Sequence, residues 1–238
     1  MVGEMTETRG QKNSASHLHT GHRERLRHKV MTSGTASLYD YEVIEMLLHF
    51  CIPRKDTKVL AKTLLAKHKT VQRLIYSEPE DLLEIPGIGE NVVVFFKLLQ
   101  RLTGEMLREE LLSNNVLSSW QTVVHYCRNE IGFERGEKIA VLYLDSRNRL
   151  IASDILAEGT VNKVNIYTRE VVREAVLKKA VAIILVHNHP SGDTTPSKQD
   201  IEMTRTIRDA LRNVDIILHD HLIISPNSCS SFKTMGLI

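Results

Sequence analysis

The chain has 238 residues, 42% of them hydrophobic, enough for one large packed domain or two small ones. Its formal charge of +2 makes no case for nucleic-acid binding from composition, and no apolar run reaches the roughly 18 residues of a membrane span. The cysteines Cys51, Cys127 and Cys229 show neither paired nor metal-ligand spacing, as expected of a reduced, cytoplasmic protein, and the polar start MVGEMTETRGQKNSASH lacks a signal peptide's apolar segment.

Residues 1–20 are polar and poor in aromatic and β-branched residues, which predicts a disordered tail. From Gly21 the pattern is helical. Val43, Met46 and Leu47 fall on one helical face, and Val59, Leu60, Thr63 and Leu64 repeat the period, with Asp56 or Thr57 as N-cap. Ser77-Glu78-Pro79-Glu80 has the form of a capping box opening another helix. That helix runs into the tight turn Ile85-Pro86-Gly87-Ile88-Gly89, and a further helix is expected from Glu90 to about Arg108.

Residues 112–117 (LSNNVL) look like a linker, beyond which the pattern becomes mixed. Ile139–Leu144 and Leu150–Leu156 read as a hairpin around Asp145-Ser146-Arg147-Asn148. Residues 169–180 read as a helix, and 181–186 as a strand covered on both faces. Residues 197–213 read as an amphipathic helix with Ile201, Ile207 and Leu211 inward. Residues 214–218 and 222–224 form a last strand or strand pair.

The segment that follows the covered strand is the most informative. His187 and His189, two apart, point to the same side of an extended chain. Pro190, Gly192 and Pro196 force a turning loop, which returns Asp200 in the first turn of the next helix. Two imidazoles and one carboxylate make a three-ligand zinc site with an open fourth position. Glu158 and Ser197 are the groups that a zinc-activated water needs to become a nucleophile. Each residue taken singly has a plainer reading: Ser197 and Asp200 as a helix cap, Glu158 as a turn residue, His-x-His as a surface pair. A second His-x-His, His219-Asp220-His221, lacks a returning acid; its expected role is structural, with Asp220 and His221 orienting the core or the residues behind the ligands.

Leu82–Asn91 resembles a helix-hairpin-helix. Gly87 and Gly89 let the backbone turn so that N–H groups around Gly87, Ile88 and Gly89 can face a DNA phosphate. A packing hairpin is the plainer alternative. Basic residues cluster nearby, at 22–29 and 53–73.

The order Glu, His-x-His, seven residues, Ser, two residues, Asp resembles the JAMM (MPN+) zinc metalloproteases. Glu158-Gly159-Thr160, Arg169-Glu170, His187-Asn188-His189-Pro190-Ser191-Gly192-Asp193, Asp200 and Asp220-His221 are more closely similar to the bacterial RadC family, over about residues 21–238. Thr168 stands where that family often has proline, and Ser225 where it often has glycine. The resemblance implies a helical domain over 21–111 with a helix-hairpin-helix, then a JAMM/MPN domain over 117–238, a mixed-sheet α/β fold related to the cytidine deaminases. It implies zinc on His187, His189 and Asp200, Glu158 as proton carrier and Ser197 as oxyanion donor, in hydrolysis of a peptide or isopeptide bond. The deaminase signature of His-x-Glu with Pro-Cys-x-x-Cys is absent. The alternative is a DNA-associated scaffold in DNA repair with a structural or vestigial zinc site.

Overall fold

The computed structural model describes residues 11–53, 55–158 and 167–238, with side chains from Gly21 onward and without that of Glu158. The chain divides into two compact units, Met1–Leu99 and Gln100–Ile238.

The regular elements of the first unit are helical: α1 (Gln11–Ser33), α2 (Asp40–Cys51), α3 (Lys58–His68), α4 (Val71–Ile75), α5 (Pro79–Leu83) and the first part of α6 (Glu90–Ser113). Helix α1 opens inside the stretch expected to be a disordered tail, of which residues 1–10 lie outside the described residues. The stretch has too few apolar residues to build a core, but a helix nucleated elsewhere propagates cheaply through residues that do not break it.

The core of this unit gathers Ile44, Leu48, Ala61, Leu64, Leu74, Leu82, Ile85, Ile88, Val92 and Phe96. On α2 the buried face is therefore Ile44 and Leu48, one residue on from the Val43, Met46 and Leu47 face that the period suggests, and Glu45 is buried with it. The carboxylate of Glu45 explains the shift, since it turns inward to meet His22 Nε2 at 2.9 Å and His49 Nε2 at 3.5 Å. On α3 the small Ala61 and Leu64 are buried and Val59 is exposed. Thr57 is the N-cap of α3 by position, but it is Asp56 Oδ1 that accepts the Lys58 amide, at 2.8 Å. The capping box expected at Ser77 does not form. Glu78 takes the N-cap position with Pro79 behind it, and Ser77 Oγ donates to the Arg73 carbonyl at 2.8 Å.

The second unit is built on a five-stranded mixed sheet in the order β2-β1-β3-β4-β5, with β1 Lys138–Leu144, β2 Leu150–Glu158, β3 Ala182–Asn188, β4 Ile217–Ile224 and β5 Cys229–Ser231. Strand β1 is antiparallel to both β2 and β3, β3 and β4 are parallel, and β5 closes antiparallel on β4. A parallel pair needs a crossover, supplied here by α9 (Lys198–Arg212).

Side chains alternate across the sheet as strand geometry requires. Ala140, Leu142, Leu144, Ile184 and Val186 face α7 (Trp120–Ile131). Val141, Tyr143, Ile183 and Leu185 face α8 (Thr168–Leu177) and α9. The central strand is thus covered on both faces, as its unbroken apolar run suggests. The last two apolar runs form one strand, β4, whose pairing with β3 skips His219. No helix among the described residues is long and apolar enough to cross a membrane.

Candidate metal centre

His187 continues the row of Ile183 and Leu185, on the face that α9 covers. Strand β3 runs on through Asn188, so this histidine is held by the sheet itself and is 3% exposed. Its Nδ1 lies 3.3 Å from Asp200 Oδ1.

Asp200 sits in the first turn of α9, in a complete capping box. Ser197 Oγ accepts from the Asp200 amide at 3.1 Å, while the Ser197 amide and hydroxyl both donate to Asp200 Oδ2, at 2.8 and 2.6 Å. Burial pushes the Asp200 carboxyl up, but the His187 imidazole 3.3 Å away and the hydrogen bonds from Ser197 outweigh it and hold the group well below the usual carboxylate range. Asp200 is an anion at any physiological pH, as a ligand must be. A serine hydroxyl carries one proton, and that of Ser197 is committed to Asp200. The oxyanion role implied for Ser197 would require giving up this bond, so what the geometry assigns to it is the orientation of Asp200.

His189 follows the strand and stays pinned by its amide, which donates to the Ile224 carbonyl at 2.9 Å. Its Nδ1 lies 2.6 Å from the Asp193 carbonyl. A carbonyl only accepts, so Nδ1 carries the proton and Nε2 presents a lone pair. That Nε2 is 3.8 Å from Asp200 Oδ2, and the two imidazoles meet edge to face at 4.8 Å between centroids.

Glu137 is a member of this cluster that sequence reasoning missed. Its Oε2 is 3.9 Å from His187 Nε2, and ligand atoms of Glu137, His187 and His189 all lie within 4.8 Å of one another. Glu137 directly precedes β1, whose antiparallel pairing with β3 brings its start beside the end that carries His187. Asn188, between the two histidines and 1% exposed, fixes the approach. Its Nδ2 donates to the carbonyls of Gly136 at 3.0 Å and Glu134 at 3.5 Å, and its Oδ1 accepts from the Lys138 amide at 2.5 Å. An acidic residue just ahead of an apolar strand was the available signal, but it means nothing until the pairing partner is known.

Glu158 ends β2 opposite Lys138. Two strand spacings, about 10 Å, separate the backbones of β2 and β3. The Glu158 side chain, Gly159 and Thr160 lie outside the described residues.

The chemistry of this donor set fits a metal. Both nitrogens of the buried His187 lack a hydrogen-bond partner, a costly state for a polar group unless something else satisfies it. Imidazole and carboxylate are the ligands that zinc accepts beside cysteine.

His219 contributes nothing here. The register skips it, and its Nε2 meets Asn148 Oδ1 at 2.8 Å. In the first unit, the Ile85–Gly89 turn joins α5 to α6 with Gly87 at φ 96°, a left-handed conformation that suits glycine. A groove at the start of α6 is lined by residues including Ile52, Lys55, Gly89 and Asn91. Several cations of the nearby basic cluster have internal work: Arg23 donates to the Ile52 carbonyl at 2.8 Å, and Lys29 pairs with Glu42 at 2.6 Å.

A mixed sheet with His-x-His closing a central strand, and an acid in the first turn of the next helix, defines the class of JAB-type domains with a candidate metal centre. The RadC-like JAB domain model matches residues 117–237, and the UPF0758 N-terminal model matches residues 19–94. A UPF0758 protein of Ruegeria pomeroyi is 43% identical over 217 residues, 91% of this chain and 97% of the relative. The chain belongs to the RadC family.

Proposed function

We propose that the protein is a zinc-dependent hydrolase of peptide or isopeptide bonds. The observation that carries this reading is the convergence of the buried His187 and the partly buried His189, whose Nε2 presents a lone pair, on the ionised carboxylate of Asp200. His187, His189 and Asp200 would hold the ion. Zinc in such a site acidifies water and polarises a carbonyl oxygen.

Glu137 reaches His187 from the side opposite Asp200, on the other ring nitrogen. Its carboxylate would take a proton from the attacking water and return it to the leaving amine. In this reading Glu137 holds the role that the family resemblance suggests for Glu158. Two carboxylates divide the work: Asp200, locked by its capping box, would be a fixed ligand, while Glu137 would serve the water.

The test is zinc content per chain, followed by hydrolysis of a peptide library by wild type and by Glu137→Gln. About one zinc and a library activity absent from the variant supports the reading; a folded chain that takes up no zinc ends it.

The groove at the turn carries a second reading. Lys55 and the glycine-flanked start of α6 supply a cation and backbone N–H groups, which is what contact with DNA phosphates requires. Such binding would weaken steeply with salt. Duplex affinity that is absent even at low salt removes this reading without touching the first.

A further inference from the structure

His221 lies on the same sheet face as His187. Strand β4 pairs with β3 so that His221 faces Leu185 and Ile223 faces His187, which places His221 one step back along the row. The two imidazoles are nearly parallel, 6.2 Å between centroids and 13° between planes. Phe232 covers the ring at 4.4 Å, and no part of His221 reaches solvent. Its main chain is held as well: Asp220 accepts from the His221 amide at 2.7 Å, the Lys233 amide at 2.9 Å and Ser231 Oγ at 2.5 Å.

The hydrogen bonds around His221 fix its tautomer. Thr204 Oγ1 on α9 is 2.7 Å from His221 Nδ1 and 2.5 Å from the carbonyl oxygen of Asp200. The hydroxyl has one proton, and a carbonyl can only accept. The proton therefore goes to Asp200, and Oγ1 must receive a second proton from the ring, so His221 carries its hydrogen on Nδ1. Nε2, buried and without a hydrogen-bond partner, is then a bare lone pair, the less costly of its two states.

We propose that His221 is a positioning residue for the metal centre: through Thr204 it anchors the first turn of α9 that presents Asp200, and through its ring face it sets the plane of His187. This rests on the reading of that centre as a zinc site. Residues that orient ligands in this way typically contribute about 10- to 100-fold in metal affinity.

The test measures zinc dissociation constants of the full chain by chelator competition, for wild type, Thr204→Val, Thr204→Ser, His221→Gln and His221→Asn. Thr204→Val keeps the shape and removes the hydroxyl; Thr204→Ser restores it. Asparagine places an N–H where Nδ1 stands, whereas glutamine places its amide near Nε2. We expect zinc binding to weaken roughly 10- to 100-fold in Thr204→Val and His221→Gln, and to stay near wild type in Thr204→Ser and His221→Asn. An imidazole nitrogen NMR spectrum of the zinc-free chain should show the His221 proton on Nδ1. If substitutions at His221 prevent folding, the two threonine variants and the spectrum decide. Wild-type affinity in Thr204→Val, or a proton on Nε2, overturns this proposal alone. A wild-type chain that binds no zinc overturns the metal reading, and this proposal with it.

Discussion

Glu137 Oε2 lies 3.9 Å from Nε2 of His187, although fifty positions separate the two residues in the chain. The sheet creates this proximity, because β1 and β3 run antiparallel and the residue entering one meets the residue leaving the other. His187 thereby stands between two carboxylates, one on each ring nitrogen, and the two are held very differently.

That difference predicts separable phenotypes. Asp200→Asn removes a ligand charge and should lose zinc, with hydrolysis falling in proportion. Glu137→Gln should keep zinc and lose roughly 10²- to 10⁴-fold in turnover, the range for removing a general base. Glu158→Gln should cost far less than Glu137→Gln. Metal content and single-turnover rates of the three variants check this; a dead Glu158→Gln beside an active Glu137→Gln would return the proton-carrying role to Glu158.

Asn188 gives the loop before β1 its position through bonds on both sides of Glu137. Alanine there removes hydrogen bonds to partly buried backbone groups, each worth about 0.5–1.5 kcal/mol. Asn188→Ala should lower the denaturation midpoint and reduce turnover while zinc stays bound, since neither histidine loses a partner. Equal losses of zinc and turnover would mean that Asn188 supports the histidines instead.

Ser197→Ala removes both the N-cap acceptor of α9 and a donor to Asp200. The cap alone is worth about 1 kcal/mol. The lost donor should raise the Asp200 carboxyl toward the ordinary range, so zinc release on acidification should begin at higher pH than in wild type. If the two zinc-release curves coincide, Ser197 does not orient Asp200, and its implied oxyanion role is reopened.

Much of this was legible in the sequence because the informative patterns are local. The run Ala182–Val186 is apolar at every position, as only a strand covered on both faces needs to be, and the histidines that follow it carry their spacing with them. The Ser197–Asp200 capping box is equally local. Glu137 was not legible, because its meaning depends on a strand pairing across fifty residues. Helix α7 is a different case: Val123, Cys127 and Ile131 recur at helical spacing, but they follow the apparent linker closely, and the N-cap Ser119 makes no side-chain capping bond. His219 looks like the partner of His221 until the pairing with β3 skips it, which no alternation pattern can foretell.

On the opposite face of the sheet from the metal centre, Tyr126 tests the C-terminal unit independently. It is 2% exposed, and its hydroxyl is 2.6 Å from Ser153 Oγ. Burial raises its phenol from the ordinary 10 to about 12, with the Ser153 hydrogen bond opposing. Between those values the folded chain keeps a proton that the unfolded chain has released, so stability falls as pH rises through this window. The shift corresponds to roughly 2–3 kcal/mol at full effect. Tyr126→Phe should remove that part of the alkaline slope, leaving the contributions of Cys229, which burial raises to about 11, and of Cys127 and Tyr143, which burial pushes up further. Urea midpoints of both chains from pH 9 upward measure it. Parallel slopes would mean that the Tyr126 phenol ionises in the folded state as readily as in the unfolded one, and that the face of the sheet covered by α7 admits water.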